Sequence, residues 1–169
     1  MYQLLKKYRL LETLRDYDPI LVGTVPIGIN IQGSDLDIIC EVKEFNDCES
    51  QMREQFSHYD DFSLTRRDVD SMDRIKVNFI IDGWPIEIFG QNKPTQEQNG
   101  FIHMVIEDRM IRMYGEKFKD QIIQLKNEGL KTEPAFAKIL KLKGDPYLRL
   151  LELYKWTDEE LRELWEERI

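Results

Sequence analysis

Apolar residues at Leu4, Leu5, Tyr8, Leu11 and Leu14 recur at helical spacing and predict one amphipathic helix from Leu4 to Leu14. It should stop before Asp18-Pro19, because a residue preceding proline avoids the helical region. Ile20 to Val22 then reads as a short strand closed by Gly23-Thr24. Val25 to Gln32, interrupted by Pro26 and Gly28, is too broken for a long helix and suits a turn or one or two helical turns. From Asp35 to Val42 the pattern changes to alternation: Leu36, Ile38, Cys40 and Val42 share one face of a strand, and Asp35, Asp37, Ile39 and Glu41 share the other. Glu44 to His58, polar with spaced Phe45, Met52 and Phe56, predicts a surface helix covering the sheet.

Phe62 to Arg67, Ile75 to Ile81 and Pro85 to Phe89 read as further strands. Asp82-Gly83 joins the last two as a hairpin, since both central residues of such a turn must tolerate positive φ. The remainder is helical. Thr95 with Gln98 and Thr157 with Glu160 have capping-box spacing, and Asp145-Pro146 puts a cap before a proline suited to the first turn. Behind that cap, Tyr147, Leu150, Leu151 and Tyr154 form a predicted apolar stripe. The expectation is an α/β (α+β) fold: a small mixed sheet flanked by helices in 1–92 and a helical C-terminal extension in 93–169, packed as a single compact unit.

Composition narrows the function. The 169 residues, 41% hydrophobic and 33% charged, suit one folded domain. Twenty-four Lys plus Arg against 32 Asp plus Glu leave a net charge of −8, which argues against general DNA binding, because such affinity comes from clustered cations on phosphates. No apolar run reaches the roughly 18 residues of a membrane span, and the N-terminal stretch has no small-residue cleavage site, so a cytoplasmic location without membrane attachment is expected. Cys40 and Cys48 have no metal-ligand spacing and read as two free thiols.

The chemistry concentrates in Leu21 to Ile38, LVGTVPIGINIQGSDLDI. Asp35 and Asp37, two apart on a strand, leave the same face and can converge on divalent cations about 3.5–4 Å apart. Their carboxylates repel when ionised, and a Mg²⁺ pair, or Mn²⁺ in its place, removes that conflict while neutralising a triphosphate. Gly23-Thr24 offers backbone N–H groups and a hydroxyl to phosphate oxygens, and Gly33-Ser34 adds a second donor beside the acids.

Gly23-Thr24, Gly28 and Ser34-Asp35-Leu36-Asp37 together resemble the signature of the polymerase-beta-like nucleotidyltransferase superfamily, with Thr24 where serine is commonest. Over nearly its whole length, including Ile86 to Gln91, Gln98 to Met104 and Leu130 to Phe136, the chain is similar to a bacterial family known only as a domain of unknown function. The resemblance implies a sheet of nucleotidyltransferase type and a third carboxylate on a neighbouring strand. Glu87 is the candidate, because Ile86 and Ile88 would face the core and leave it opposite. Asp82, a turn residue first, is the alternative.

The reaction so implied transfers a nucleoside monophosphate from a nucleoside triphosphate to an unidentified hydroxyl or phosphate acceptor on a small molecule, RNA or protein. Asp35, Asp37 and Glu87 would be catalytic and metal-binding, and Gly23, Thr24, Gly33 and Ser34 nucleotide-binding. A silent nucleotide sensor or interaction module, such as a toxin partner, and pyrophosphoryl transfer of the alarmone-synthetase kind stay open. Arg66, Arg67, Lys76 and Lys131 are candidate phosphate contacts for which a solvated surface role is the simpler reading. His103 reads as a surface or packing histidine, Trp156 and Trp165 with Leu161 and Leu164 as an interhelical stripe, with Phe101 and Tyr147 read the same way, and Asp68 to Asp73 as a solvated hairpin turn, not a calcium loop.

Overall fold

A computed structural model describes residues 2–69 and 71–166. The chain divides into two compact units, Met1–Val22 with Asp35–Phe101 and Gly23–Ser34 with Ile102–Ile169. The fold is α/β (α+β), with a mixed sheet in the first unit and helices in the second.

The sheet has five strands: β1 (Ile20–Val22), β2 (Leu36–Glu41), β3 (Asp60–Val69), β4 (Met72–Ile81) and β5 (Trp84–Gln91), in the order β1-β2-β5-β4-β3. Only β2 and β5 run parallel; the other neighbours are antiparallel. Alternation assigns the faces. Leu36, Ile38, Cys40, Ile75, Val77, Phe79, Ile81, Ile86 and Ile88 are all buried on one side. There α3 (Phe45–Phe56) lays down Phe45, Cys48, Met52 and Phe56, and the Phe56 ring stacks on Phe79 at 4.8 Å. Burying each such side chain contributes roughly 1.5–3 kcal/mol, which holds the pleat in register. Gly90 is required by closeness: a Cβ there would lie 2.6 Å from Val42 Cγ2 and 2.8 Å from Ile75 Cγ2. The opposite face carries Asp37, Glu87, Asn78, Lys76 and Arg74 (by the same alternation).

The Asp82-Gly83 turn forms as predicted, with φ of 48° and 76°. The hairpin joining β3 and β4 is longer than expected. In its turn Ser71 N donates to Asp68 Oδ1 at 3.2 Å, and Asp70 of the predicted solvated turn lies outside the described residues. The predicted helix from Leu4 to Leu14 is two pieces, α1 (Tyr2–Lys7) and α2 (Leu10–Thr13), broken where Arg9 takes φ 50°. In an unbroken helix Leu10 would point about 120° away from Leu4. The break lets Leu4, Leu5, Leu10 and Leu14 all be buried.

Thr95 and Gln98 do not form a capping box. Both are buried and engaged elsewhere: Thr95 Oγ1 donates to Asp18 at 2.6 Å, and Gln98 Nε2 donates to the carbonyls of Cys40 and Lys93. Cys40 and Cys48 are free and buried, and burial pushes the Cys48 thiol up to about 11 and that of Cys40 higher still.

The second unit contains most of α4 (Asn99–Tyr114), then α5 (Glu116–Asn127), α6 (Thr132–Ile139), α7 (Pro146–Leu153) and α8 (Asp158–Glu166). Phe118 centres its core, with ring contacts to Tyr114 at 4.9 Å, Trp165 at 5.1 Å and Phe136 at 5.5 Å. Leu161, Leu164, Trp156 and Trp165 join it, as their spacing predicts. The Thr157 capping box is complete: Thr157 N donates to Glu160 at 2.7 Å, and Glu160 N donates to Thr157 Oγ1 at 3.2 Å. Asp145 caps α7 through Leu148 N at 3.0 Å. Tyr147 and Tyr154 depart from the predicted stripe and are exposed, while Leu150 and Leu153 fill the core. Gly23–Ser34 belongs with these helices because Ile29 is buried in their core and its carbonyl accepts from the buried Lys126 Nζ at 2.8 Å.

Polar groups are also buried in this unit. His103 donates through Nε2 to the Tyr147 carbonyl at 3.1 Å, while its Nδ1 lies 3.2 Å from Glu133; it is a packing histidine. Burial is the largest single influence on the Glu133 carboxyl and raises it, but the His103 hydrogen bond, a backbone hydrogen bond and the charges of His103 and Lys131 together hold it below its ordinary value. Glu107, 3% exposed, is pushed well above the ordinary carboxylate value by burial and then by Glu133, and its Oε1 has no hydrogen-bond partner among the described residues. The folded protein therefore keeps a proton that the unfolded chain releases near pH 4.5. This contribution is fully present below that value and is lost as pH rises toward the folded one. Glu107→Gln is expected to raise the melting temperature more at pH 8 than at pH 4, which thermal melts across that range will measure.

Candidate metal and nucleotide site

In the parallel pair, Asp37 stands directly beside Glu87, and the shared pleat turns both to the polar face. Asp35 precedes β2 with the same parity. The outcome is a cluster in which one carboxylate oxygen from each of Asp35, Asp37 and Glu87 lies within 4.8 Å of the others, all three half-buried. Neighbours fix their carriers: Leu36 and Ile38 are 0% exposed on either side of Asp37, and Ile86 and Ile88 are 1% exposed around Glu87. The backbone at each acid thus has little freedom to swing.

Lys76 Nζ, from the adjacent β4, makes an ion pair with Glu87. Three carboxylates beside one ammonium make an acidic donor set of the kind that holds a divalent cation. The donor set, all hard oxygen, fits Mg²⁺ or Mn²⁺. Asp82 is outside the cluster: it accepts from Lys7 Nζ and Tyr8 OH, each at 2.8 Å, and the Lys7 bond holds its carboxyl below the ordinary range.

Val22, the last residue of β1, pairs with Asp37, so the chain enters Gly23 directly after that register position. Gly23 and Gly33 take φ of 78° and 85°, values that favour glycine. Thr24 anchors the turn through its carbonyl, which accepts from Ile29 N at 3.1 Å. Ser34 Oγ accepts from Ile31 N at 2.9 Å, leaving its own proton for donation. These four residues belong to the second unit. Of the predicted cations, Arg66 is committed to Asp73 at 2.7 Å and Asn46 at 2.8 Å, and Arg67 and Lys131 are exposed. Sequence reasoning passed over Arg74, which shares the face of Lys76 and Asn78; their common parity was the available signal.

The mixed sheet, with an acid-hydrophobic-acid strand beside a third acid, has the fold of solved RNA nucleotidyl polymerases. Solved structures agree on the fold. A MgGTP-bound Cid1 poly(U) polymerase superposes with a TM-score of 0.54 at 13% identity, covering 88% of this chain and 46% of that one. The GLD-2/RNP-8 complex gives 0.53 at 12% identity over 97% and 74%, and the polymerase core of TRAMP, an RNA surveillance complex, 0.51 at 14% over 99% and 58%. The chain thus spans just under half the length of the Cid1 polymerase. Residues 3–153 match the model of the family described as a domain of unknown function (DUF4269), and the chain belongs to that family. No curated protein matches the sequence. No helix among the described residues is long and apolar enough to cross a membrane.

Proposed function

We propose that the protein is a nucleotidyltransferase that moves a nucleoside monophosphate from a nucleoside triphosphate to a hydroxyl or phosphate acceptor on a small molecule, RNA or protein. The observation that carries this reading is the convergence of Asp35, Asp37 and Glu87 within 4.8 Å on a sheet of the matching fold. These three residues would hold the divalent cation, and the charge of an incoming triphosphate makes room for a second. When bound, such ions neutralise phosphate charge and stabilise the attacking and leaving oxygens.

Gly23, Thr24, Gly33 and Ser34 would offer backbone N–H groups and hydroxyls to the phosphates. The acceptor oxygen bonds to the α-phosphorus, the bond from that phosphorus to the bridging oxygen breaks, and pyrophosphate departs with the electron pair. The acceptor proton passes to the Glu87 carboxylate, which pairs with Lys76.

Incubating the protein with Mg²⁺, cell extract and triphosphates labelled at either the α or the γ position tests the reaction. Transfer of the α label, dependent on the acids, is the expected result. Transfer of the γ label instead means pyrophosphoryl transfer, and binding without either means a sensor; both outcomes reject the proposal.

A further inference from the structure

The face that carries Asp37 and Glu87 continues across β4 and β3 as a pocket of about 400 Å³ lined by Thr65, Arg67, Arg74, Lys76, Asn78 and Phe89. Its register is explicit. Asn78 lies beside Glu87, Lys76 beside Phe89 and Arg74 beside Gln91, and Arg67 stands directly opposite Arg74. Like charges directly opposed on neighbouring strands repel. Neither arginine side chain has an ion pair or hydrogen bond among the described residues, and the Arg74 Nε atom is buried without a partner.

The other face of the same hairpin handles its own clash differently. There Asp68 opposes Asp73, but Arg66 bonds Asp73 at 2.7 Å and Ser71 N bonds Asp68 at 3.2 Å. Although the chain has 32 acidic residues, none of the described ones pairs with these two opposed guanidinium groups. An anion placed between them removes the repulsion and satisfies the buried Nε, and phosphate matches the guanidinium fork in bidentate geometry.

We propose that this pocket holds the acceptor of the reaction by a phosphate ester bound to Arg67 and Arg74, its reactive hydroxyl directed to Asp37 and Glu87; the acceptor role rests on the transferase reading above. Arg74 lies four positions from Asn78 along β4, about 13 Å at the rise of an extended strand, so an elongated acceptor bridges phosphate site and acids. Phe89 offers an apolar ring surface between the two for a sugar or base.

The test uses the full chain, with ¹⁵N-labelled arginine and EDTA present, titrated with ribose 5-phosphate and with a mixed-sequence hexanucleotide RNA. The Nε–H signals of Arg67 and Arg74 are expected to shift with at least one probe. Response to both identifies a phosphate monoester acceptor, and response to RNA alone a polynucleotide end. Arg67→Gln with Arg74→Gln should weaken binding at least tenfold without lowering the melting temperature, because repulsion is relieved. Arg67→Lys with Arg74→Lys, which keeps charge and loses the fork, should give a partial loss. Absence of shifts with both probes, or unchanged affinity in the glutamine variant, overturns the assignment. Such a failure with α-label transfer intact leaves the reaction standing, whereas phosphate binding without label transfer rejects the reaction and keeps the anion site.

Discussion

Asp35→Asn with Asp37→Asn is expected to abolish Mg²⁺-dependent triphosphate binding while leaving the chain folded. The exchange keeps shape and removes two of the three charges that converge within 4.8 Å. Losing even an indirect support of a metal ligand typically costs ten- to about a hundredfold in affinity, so losing two ligands should exceed the upper figure. Stability should move the other way in EDTA. Carboxylates this close repel when no cation lies among them, and their neutralisation leaves the Lys76 to Glu87 ion pair in place. Calorimetric titration with a non-hydrolysable triphosphate and Mg²⁺, together with melting in EDTA, reads both effects. An affinity equal to the parent's would remove the basis for the metal site.

The largest effect on stability should come from Phe118→Ala. Phe118 is 0% exposed and touches Tyr114, Phe136 and Trp165, so its truncation removes the ring that three others pack against. Emptying such a site costs about 3–5 kcal/mol, because close-packed neighbours collapse only partly into the space. Tyr154→Ala is the matched control: Tyr154 is 39% exposed, and its loss should stay within about 0.5 kcal/mol. Urea unfolding of both variants measures the difference. Equal midpoints would mean that the second unit is not organised around Phe118.

How far local pattern reaches is clearest where two identical signals diverge. Thr95 with Gln98 and Thr157 with Glu160 have the same spacing, yet only the second pair caps a helix. Thr157 is at the surface and has no competitor for its hydroxyl. Thr95 and Gln98 are buried, and Asp18, Lys93 and Cys40, some of them distant in sequence, claim their hydrogen bonds. A similar competition broke the N-terminal helix, whose apolar residues fit one helical face less well than they fit a core approached from two short segments. Glu107 and Lys126 gave no warning at all, since a charged residue in an amphipathic helix reads as solvated.

Local chemistry by itself determined the elements that need no partner to be specified. The Ile20 to Val22 strand, the Asp82-Gly83 turn, the caps at Asp145 and Thr157, and the alternation that puts Asp35 and Asp37 on one side all follow from backbone preference and a period of two. Tertiary structure alone decided which third acid joins them. Glu87 and Asp82 lie five positions apart, one on β5 and the other in the turn before it, and both remain candidates by local pattern. The parallel pairing of β2 with β5 sets Glu87 beside Asp37, while Lys7 and Tyr8 take Asp82. A different pairing, the antiparallel hairpin of β3 with β4, opposed Arg67 to Arg74, a relation that exists only once the register of that hairpin is set.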